Sequence, residues 1–273
     1  MTASTGFRPI EFEAPLAEPA PGGLEAATRW AESGADEAAR WLPAGVQFEQ
    51  RTHREPGSFG VWGADWCADP DDLTANDVKT GPPSSDDNPD PFVAMTVWAF
   101  DRLQQCGNLS EFDRARAIER ARQTFAIRAP IAVETEFATR LLTDTATPTD
   151  VADIVTAVGH LDQALSTIGT VGLIHARVGL LAVAVDRRMA VPEPTDPGVL
   201  RTPAGHRWVF GAGYATPLGD TLIATSQTYG WRDPVQVRTA TRLAETQFIA
   251  IAERSVVVGY EASIGAATIG TTP

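Results

Sequence analysis

The chain has almost no lysine. Lys79 stands alone against 35 acidic residues, and the remaining basic charge is arginine. The formal net charge of −13 argues against affinity for a nucleic-acid backbone or an anionic membrane, since both would be repelled. Cysteine is scarce as well. Cys67 and Cys106 form no CxxC motif, which points to a reducing compartment or incidental use and leaves their pairing open. No long apolar run exists: the longest, 178–185, contains Gly179 and is far short of the ~20 residues a bilayer demands. The N-terminus, MTASTGFRPIEFEAP, lacks a basic segment followed by an apolar one, so no signal peptide is expected. These absences together predict a soluble, cytosolic protein.

Chemistry-bearing patterns are equally sparse. The four histidines, His53, His160, His175 and His206, have neither HExxH spacing nor a cysteine partner, and read as structural. The run GAGY at 211–214 lacks the third glycine and following helix of a dinucleotide fingerprint, and reads as a turn. Asp69, Asp71, Asp72, Asp86, Asp87 and Asp90 lack the alternation and central glycine of a calcium loop; they read as a solvated loop surface. No GxSxG, Walker or catalytic-cysteine pattern is present. The sequence therefore assigns no catalytic residue, no cofactor-binding residue and no metal ligand.

What is present is organised around residues 110–143. Phe112, Ala115, Ile118, Ala121, Phe125, Ala129, Ala132, Val133, Phe137 and Leu141 recur at three- and four-residue steps, the period of a helix face. Ser110 and Asp113 form a capping pair, and Pro130 inside the run predicts a kink or a split. A helix of this length spans roughly 50 Å, more than a compact domain needs, so it reads as a strut in an assembly.

Around the strut, residues 1–22 carry Pro9, Pro15, Pro19 and Pro21 among acidic residues, an arm without a core-forming pattern. Residues 24–42 read as a short helix. Val46, Phe48, Gln50 and Thr52 alternate like a strand, with Phe59, Val61 and Trp62 as its return. Residues 67–91, with five prolines and many aspartates, exceed the usual ~12–15-residue limit for a loop inside a compact domain. They are expected to be disordered or ordered only against another chain. FVAMTVWAF at 92–100 is apolar on both faces and reads as a buried strand. A second helix is expected from a Thr147–Pro148–Asp150 cap, burying Val151, Ile154, Val155, Val158, Leu161, Leu165 and Ile168. Further expectations are a strand at 173–175, a helix at 178–187, strands at 208–214 and 221–227 with turns at 203–205 and 217–219, and β-rich runs at 248–251, 255–260 and 264–269. The class is α+β.

The order of these features, acidic arm, long β loop, PFVAMTVWAF, the Cys106 and Gly107 pair, the capped helix running into AVETEF, then GTVGLIHA, LRTPAGHRWVFGAGY and LAETQFIAIAERSVVVGYEASIGAATI, resembles the major capsid proteins of tailed phages that infect actinobacteria. Those have the Hong Kong 97-type fold. The resemblance covers residues 46–269. It implies an N-terminal arm (1–45), an extended loop (46–91) overlapping a neighbouring subunit, a peripheral domain with the spine helix (92–146), an axial domain (147–230) and peripheral return strands (231–273). It implies self-assembly into hexamers and pentamers of an icosahedral head, assembled in the host cytoplasm, enclosing DNA without sequence-specific binding and without a membrane or cofactor. Scaffolding, portal and decoration proteins are the partners such shells use. Phe48, Phe59, Trp62 and Trp66 are the candidate subunit-interface anchors.

Two departures from the family pattern stand out. No N-terminal scaffolding region is recognisable, which leaves a separate scaffolding protein or none. Some relatives also join subunits by a lysine–asparagine isopeptide bond. Lys79 lies in the loop, but the asparagines, Asn76, Asn88 and Asn108, all lie before the C-terminal part, so no such cross-link is expected. An encapsulin-like compartment shell, a minor head protein, or a cytosolic enzyme or ligand-binding protein with an unrecognised site are the alternative readings.

Overall fold

The computed structural model describes residues 12, 14–20, 22–31, 42–50, 59–63, 65–74, 77, 79, 88–104, 110–242 and 247–270. The elements begin with α1 (Gly23–Ala27), β1 (Arg29–Trp30), β2 (Met95–Gln104) and α2 (Glu111–Asp144). Next come β3 (Thr149–Val151), α3 (Ile154–Ile168), β4 (Leu173–Arg177) and α4 (Leu181–Asp186). The remainder is β5 (Val191–Glu193), β6 (Asp196–Arg201), β7 (Arg207–Gly211), α5 (Ala215–Leu218), β8 (Thr221–Thr225), β9 (Thr228–Arg232), β10 (Gln236–Arg242), β11 (Gln247–Tyr260) and β12 (Ser263–Ile269). Among the described residues no helix is long and apolar enough to cross a membrane.

The strut is real and starts where its cap predicts. Ser110 Oγ accepts the Asp113 N–H at 3.2 Å and donates to Asp113 Oδ2 at 2.5 Å. The helix then runs 34 residues without a break at Pro130, so the expected split does not occur. Proline frees only the carbonyl of Ala126, an exposed residue that water can reach. Phe125 and Val133, on either side, are buried in one core cluster that holds both halves in line. The buried stripe is Ala117, Ala121, Phe125, Val133, Glu134, Phe137, Ala138 and Leu141; Phe112, expected to share it, is exposed. Glu134, a carboxylate in that stripe, is the departure that matters.

α2 lies on a five-stranded sheet in which β11 is central. On one side β11 pairs antiparallel with β2; on the other it pairs with β10 and then β9, and β1 adds parallel to β9. The second sheet has seven strands in the order β3-β12-β8-β4-β7-β6-β5, with β3/β12 and β4/β7 parallel. α3 covers it, burying Ile154, Ala157, Val158, Leu161 and Leu165.

Several sequence expectations are corrected. The segment 24–42 is not one helix: α1 ends at Ala27, and Arg29 and Trp30 pair with β9. α3 is capped by Asp153, which accepts the Thr156 N–H at 2.8 Å, and not by Thr147. The 149–151 stretch is instead drawn into a strand beside β12, and Val155 faces solvent. Residues 215–218 form a helical turn ahead of Gly219. The runs at 248–251 and 255–260 are one strand, β11. The last strand, β12, does not complete the α2 sheet; it joins the seven-stranded one. The expectation of a helix at 31–41 falls largely outside the described residues.

Candidate subunit-contact surface and the junction that holds it

The segment 46–92 leaves and re-enters the body at one point. Val46 and Phe92 form an antiparallel bridge with both N–H···O bonds made, at 2.9 and 2.8 Å, and the Gln50 N–H reaches Asn88 Oδ1 at 3.0 Å. The partner of the 46–50 strand-like run is therefore 88–92 and not 59–62. Arg140 near the end of α2 fixes the returning strand. Its guanidinium donates to the carbonyls of Asp90 (2.8 Å) and Pro91 (3.2 Å), lies 4.5 Å from the Phe92 ring, and pairs with Asp144. Such multiple, geometrically fixed contacts are what a planar guanidinium supplies.

The four anchor candidates divide by position. Phe48 packs inside its own chain, 5.4 Å from Phe92, 6.0 Å from Trp231 and 6.2 Å from Tyr229 by ring centroids. Phe59 and Trp66 stand in solvent, 84% and 85% exposed. Trp62 is half-buried: its indole N–H donates to the Asp77 carbonyl at 2.6 Å and its ring meets Trp66 edge-on at 5.0 Å. The single lysine, Lys79, lies 4.6 Å from the Trp62 ring and 5.7 Å from that of Trp66, a cation–π arrangement. The aspartates here act as turn caps. Asp69 Oδ1 accepts the Asp71 N–H, and Asp77 Oδ2 accepts both the N–H and the hydroxyl of Thr74. Cys67 is an exposed free thiol; Cys106 and His53 lie outside the described residues.

A second exposed surface lies on the sheet. β2 is an edge strand of alternating fate: Val97 and Ala99 are buried against α2, whereas Trp98 and Phe100 are exposed. Residues directly opposite in an antiparallel pair share a face. Trp98 and Phe100 therefore stand beside Glu253 and Ile251 of β11, and these beside Gln236 and Arg238 of β10. The expectation of a strand buried on both faces is wrong for the side turned away from α2, where Trp98 and Phe100 are 61% and 53% exposed because nothing among the described residues covers them.

A polar junction that sequence reading overlooked lies where α1, α2 and the turn after β7 meet. The buried Glu134 carboxylate accepts the N–H of Leu24 at 3.0 Å through one oxygen and that of Gly213 at 2.8 Å through the other. It thereby joins the start of α1, the middle of α2 and the turn after β7. The GAGY run does cradle an anion, but the anion is the chain's own. Glycine is required where these groups meet. A Cβ on Gly23 would strike Glu134 Oε1, and one on Gly213 would strike the Ile131 carbonyl. Burial raises the Glu134 pKa, opposed by the N–H donors of Gly213, Leu24 and Ala212.

One layer further in, His175 is fully buried on β4. Its Nε2 lies 2.9 Å from Thr225 Oγ1 and its Nδ1 3.1 Å from the Tyr214 hydroxyl. Thr225 commits its own proton to the Ser226 carbonyl at 2.8 Å, so it must accept from Nε2–H; Nδ1 is then the acceptor for Tyr214. This is a satisfied neutral imidazole, pushed down to about 3 by burial. Among the described residues no cluster of His, Cys, Asp or Glu is arranged to hold a metal.

No family model matches the chain, and no curated protein matches it in sequence. Solved structures do. The chain is similar to the capsid protein of an empty GTA particle (TM-score 0.54, 12% identity, covering 98% of this chain and 97% of that one). It is similar to a chain of the mature capsid of bacteriophage PhiM1 (TM-score 0.51, 10% identity, 98% and 93%). It is also similar to a structure from Mycobacterium phage Adephagia (TM-score 0.50, 12% identity, 97% and 96%). The chain thus shares, from end to end, the mixed α+β fold of phage-type capsid chains; at such identities the likeness is one of fold.

Proposed function

We propose that this chain is the major capsid protein of a tailed double-stranded DNA phage, a structural protein without enzymatic activity, with the Hong Kong 97-type fold. The observation that carries the reading is the combination of end-to-end likeness to capsid chains with a loop pinned at the Val46–Phe92 bridge that displays Phe59 and Trp66 to solvent. Large aromatics held clear of their own core mark a contact made elsewhere. The α2 sheet corresponds to the peripheral part and the seven-stranded sheet to the axial part of such a subunit, meeting its copies at the centres of hexamers and pentamers. The 46–91 loop of one copy lies over the sheet of its neighbour, where Trp98 and Phe100 await cover. Phe59, Trp62 and Trp66 make that contact, and Phe48 fixes the base of the loop. Repeated head-to-tail contacts of this kind close a shell. The virion is its location. Scaffolding, portal and decoration proteins are the expected partners, and the DNA inside is enclosed without sequence readout, in keeping with the net charge of −13.

Limited proteolysis tests this. Cleavage within 59–80 should be fast in dissociated subunits and much slower in assembled particles. Equal rates in both states would overturn the proposed placement of the loop.

A further inference from the structure

Ala126, Ala129 and Pro130 give α2 three small side chains along one wall, and an open cavity of about 510 Å³ lies beside them. Leu24 of α1, Trp30 of β1, Phe125 and Val133 of α2, Val235 between β9 and β10, and Val256 of β11 form the rest of an apolar lining. Its size is that of a small-molecule site. Its charge is one-sided. Three guanidiniums, Arg122, Arg232 and Arg254, line the cavity, and among the described residues only the Glu25 carboxylate lines it against them. Three cations facing one anion leave a local surplus of two positive charges in a chain whose formal net charge is −13.

The arginines are not equivalent. Arg232 pairs with Glu25 at 2.7 Å and lies over the Trp30 ring, 4.5 Å from its centroid. Arg254 lies 5.6 Å from the Phe125 ring, and its Nε is buried with no hydrogen-bond partner among the described residues. Burial and the charge of Arg232 push the Arg254 pKa down, opposed by Glu25, so this cation is incompletely compensated. A buried donor left unpaired costs free energy that an incoming acceptor recovers. An inorganic anion would meet Arg254 but leave the apolar wall wet; a neutral apolar molecule would cover the wall but leave Nε unpaired. A molecule with an anionic head and an apolar body answers both needs. Guanidiniums already occupy one face of Trp30 and of Phe125. The surface left for that body is mainly the aliphatic one of Leu24, Val133, Val235 and Val256.

We infer that this cavity is a binding site for a long-chain aliphatic carboxylate, the chemical class of a fatty acid, with its head group on Arg254 and Arg122 and its chain along Leu24, Val133 and Val256. An occupant so placed touches α1, α2 and β11 at once and ties them together. The site lies within one chain and stands independently of the shell reading.

The test is isothermal titration of the full-length chain, as dissociated subunits, with decanoate, decanol and decyltrimethylammonium, each kept below its micelle-forming concentration. Decanoate should bind once per chain. Decanol keeps the chain but lacks the charge that strengthens hydrogen bonds to a guanidinium, and should bind about tenfold or more weakly. Decyltrimethylammonium should bind more weakly still. Nonspecific adsorption would rank the two ions the other way, since a net charge of −13 attracts the cation. From octanoate to dodecanoate, affinity should rise about fourfold per added methylene until the cavity is full, the equivalent of ~0.8 kcal/mol per buried CH₂. Arg254→Gln should remove most of the preference for decanoate over decanol, and Ala129→Leu, which fills the wall, should weaken both. Should either variant fail to fold, the head-group ranking and stoichiometry of the wild type decide alone. Equal affinity for decanoate and decanol, a preference for the cation, or uptake that does not saturate at one per chain overturns the site. Subunits that bind decanoate yet never form shells would keep the site and overturn the shell reading instead.

Discussion

The Glu134 carboxylate accepts the backbone N–H of Leu24 at 3.0 Å across 110 residues of chain. With its second bond, to Gly213, it makes one side chain responsible for the relative placement of the arm's first helix, the spine helix and the β7–α5 turn. Truncation would strand two buried donors, each worth ~1–3 kcal/mol when left unpaired. Part of that loss is offset by removing a partly desolvated carboxylate. Glu134→Ala should therefore cost about 2–4 kcal/mol in a urea unfolding experiment, and Glu134→Gln, which keeps one acceptor, less.

Gly213→Ala tests the same junction from its other side. The new methyl would meet the Ile131 carbonyl of α2, and overpacking of that kind costs about 1–3 kcal/mol. A wild-type unfolding midpoint for this variant would show that the turn is free to move off the helix.

Acid should weaken the fold through His175. Its imidazole, pushed down to about 3 from 6.5 by burial, stays neutral in the folded chain but takes up a proton once unfolded. Below pH 6.5 the unfolded state binds more protons, so stability falls as pH falls, by up to about 1.4 kcal/mol per pH unit in the window from 6.5 toward 3. His206, also pushed down by burial, acts in the same direction. Glu134, raised by burial, acts in the opposite one, favouring the fold as pH falls through its titration. Comparison with His175→Gln isolates the histidine: the drop in urea midpoint between about pH 7.5 and about pH 5 should be smaller in the variant than in the wild type.

The aromatic anchors should separate into two kinds. Phe48→Ala removes a ring packed on Phe92, Tyr229 and Trp231, and should cost the subunit about 2–3 kcal/mol. Phe59→Ala and Trp66→Ala should change subunit stability by no more than ~0.5 kcal/mol while reducing the yield of particles. Equal loss of stability in all three, by chemical unfolding, would contradict this division.

Lys79 is engaged with the rings of Trp62 and Trp66, and the C-terminal part offers no asparagine. Boiled, reduced particles should therefore run as a single monomer band on a denaturing gel. A ladder of multimers would refute the absence of an isopeptide cross-link.

Local signals were legible and remote ones were not. Ser110 and Asp113 announce the start of α2 because a cap is made within four residues. The start of α3 is not legible, since Thr147, Pro148 and Asp150 imitate a cap and only pairing with β12, more than a hundred residues later, draws 149–151 into a strand. Trp98 and Phe100 look like core because apolar residues on both faces of a strand usually are; their exposure among the described residues depends on the placement of distant segments. Glu134 offered one clue, a carboxylate in register with Val133, Phe137 and Leu141, but its partners are supplied by distant turns. The arm's acidic, proline-rich pattern was visible, whereas the cavity beside Pro130 depends on three segments meeting.

On the proposed shell reading, this polypeptide completes itself only among its copies. Sedimentation velocity with negative-stain electron microscopy of the purified full-length chain, under conditions that permit assembly, tests it most directly. Closed shells built of rings of six and five subunits are the predicted result. A small, discrete, protease-resistant species that never enlarges would contradict it.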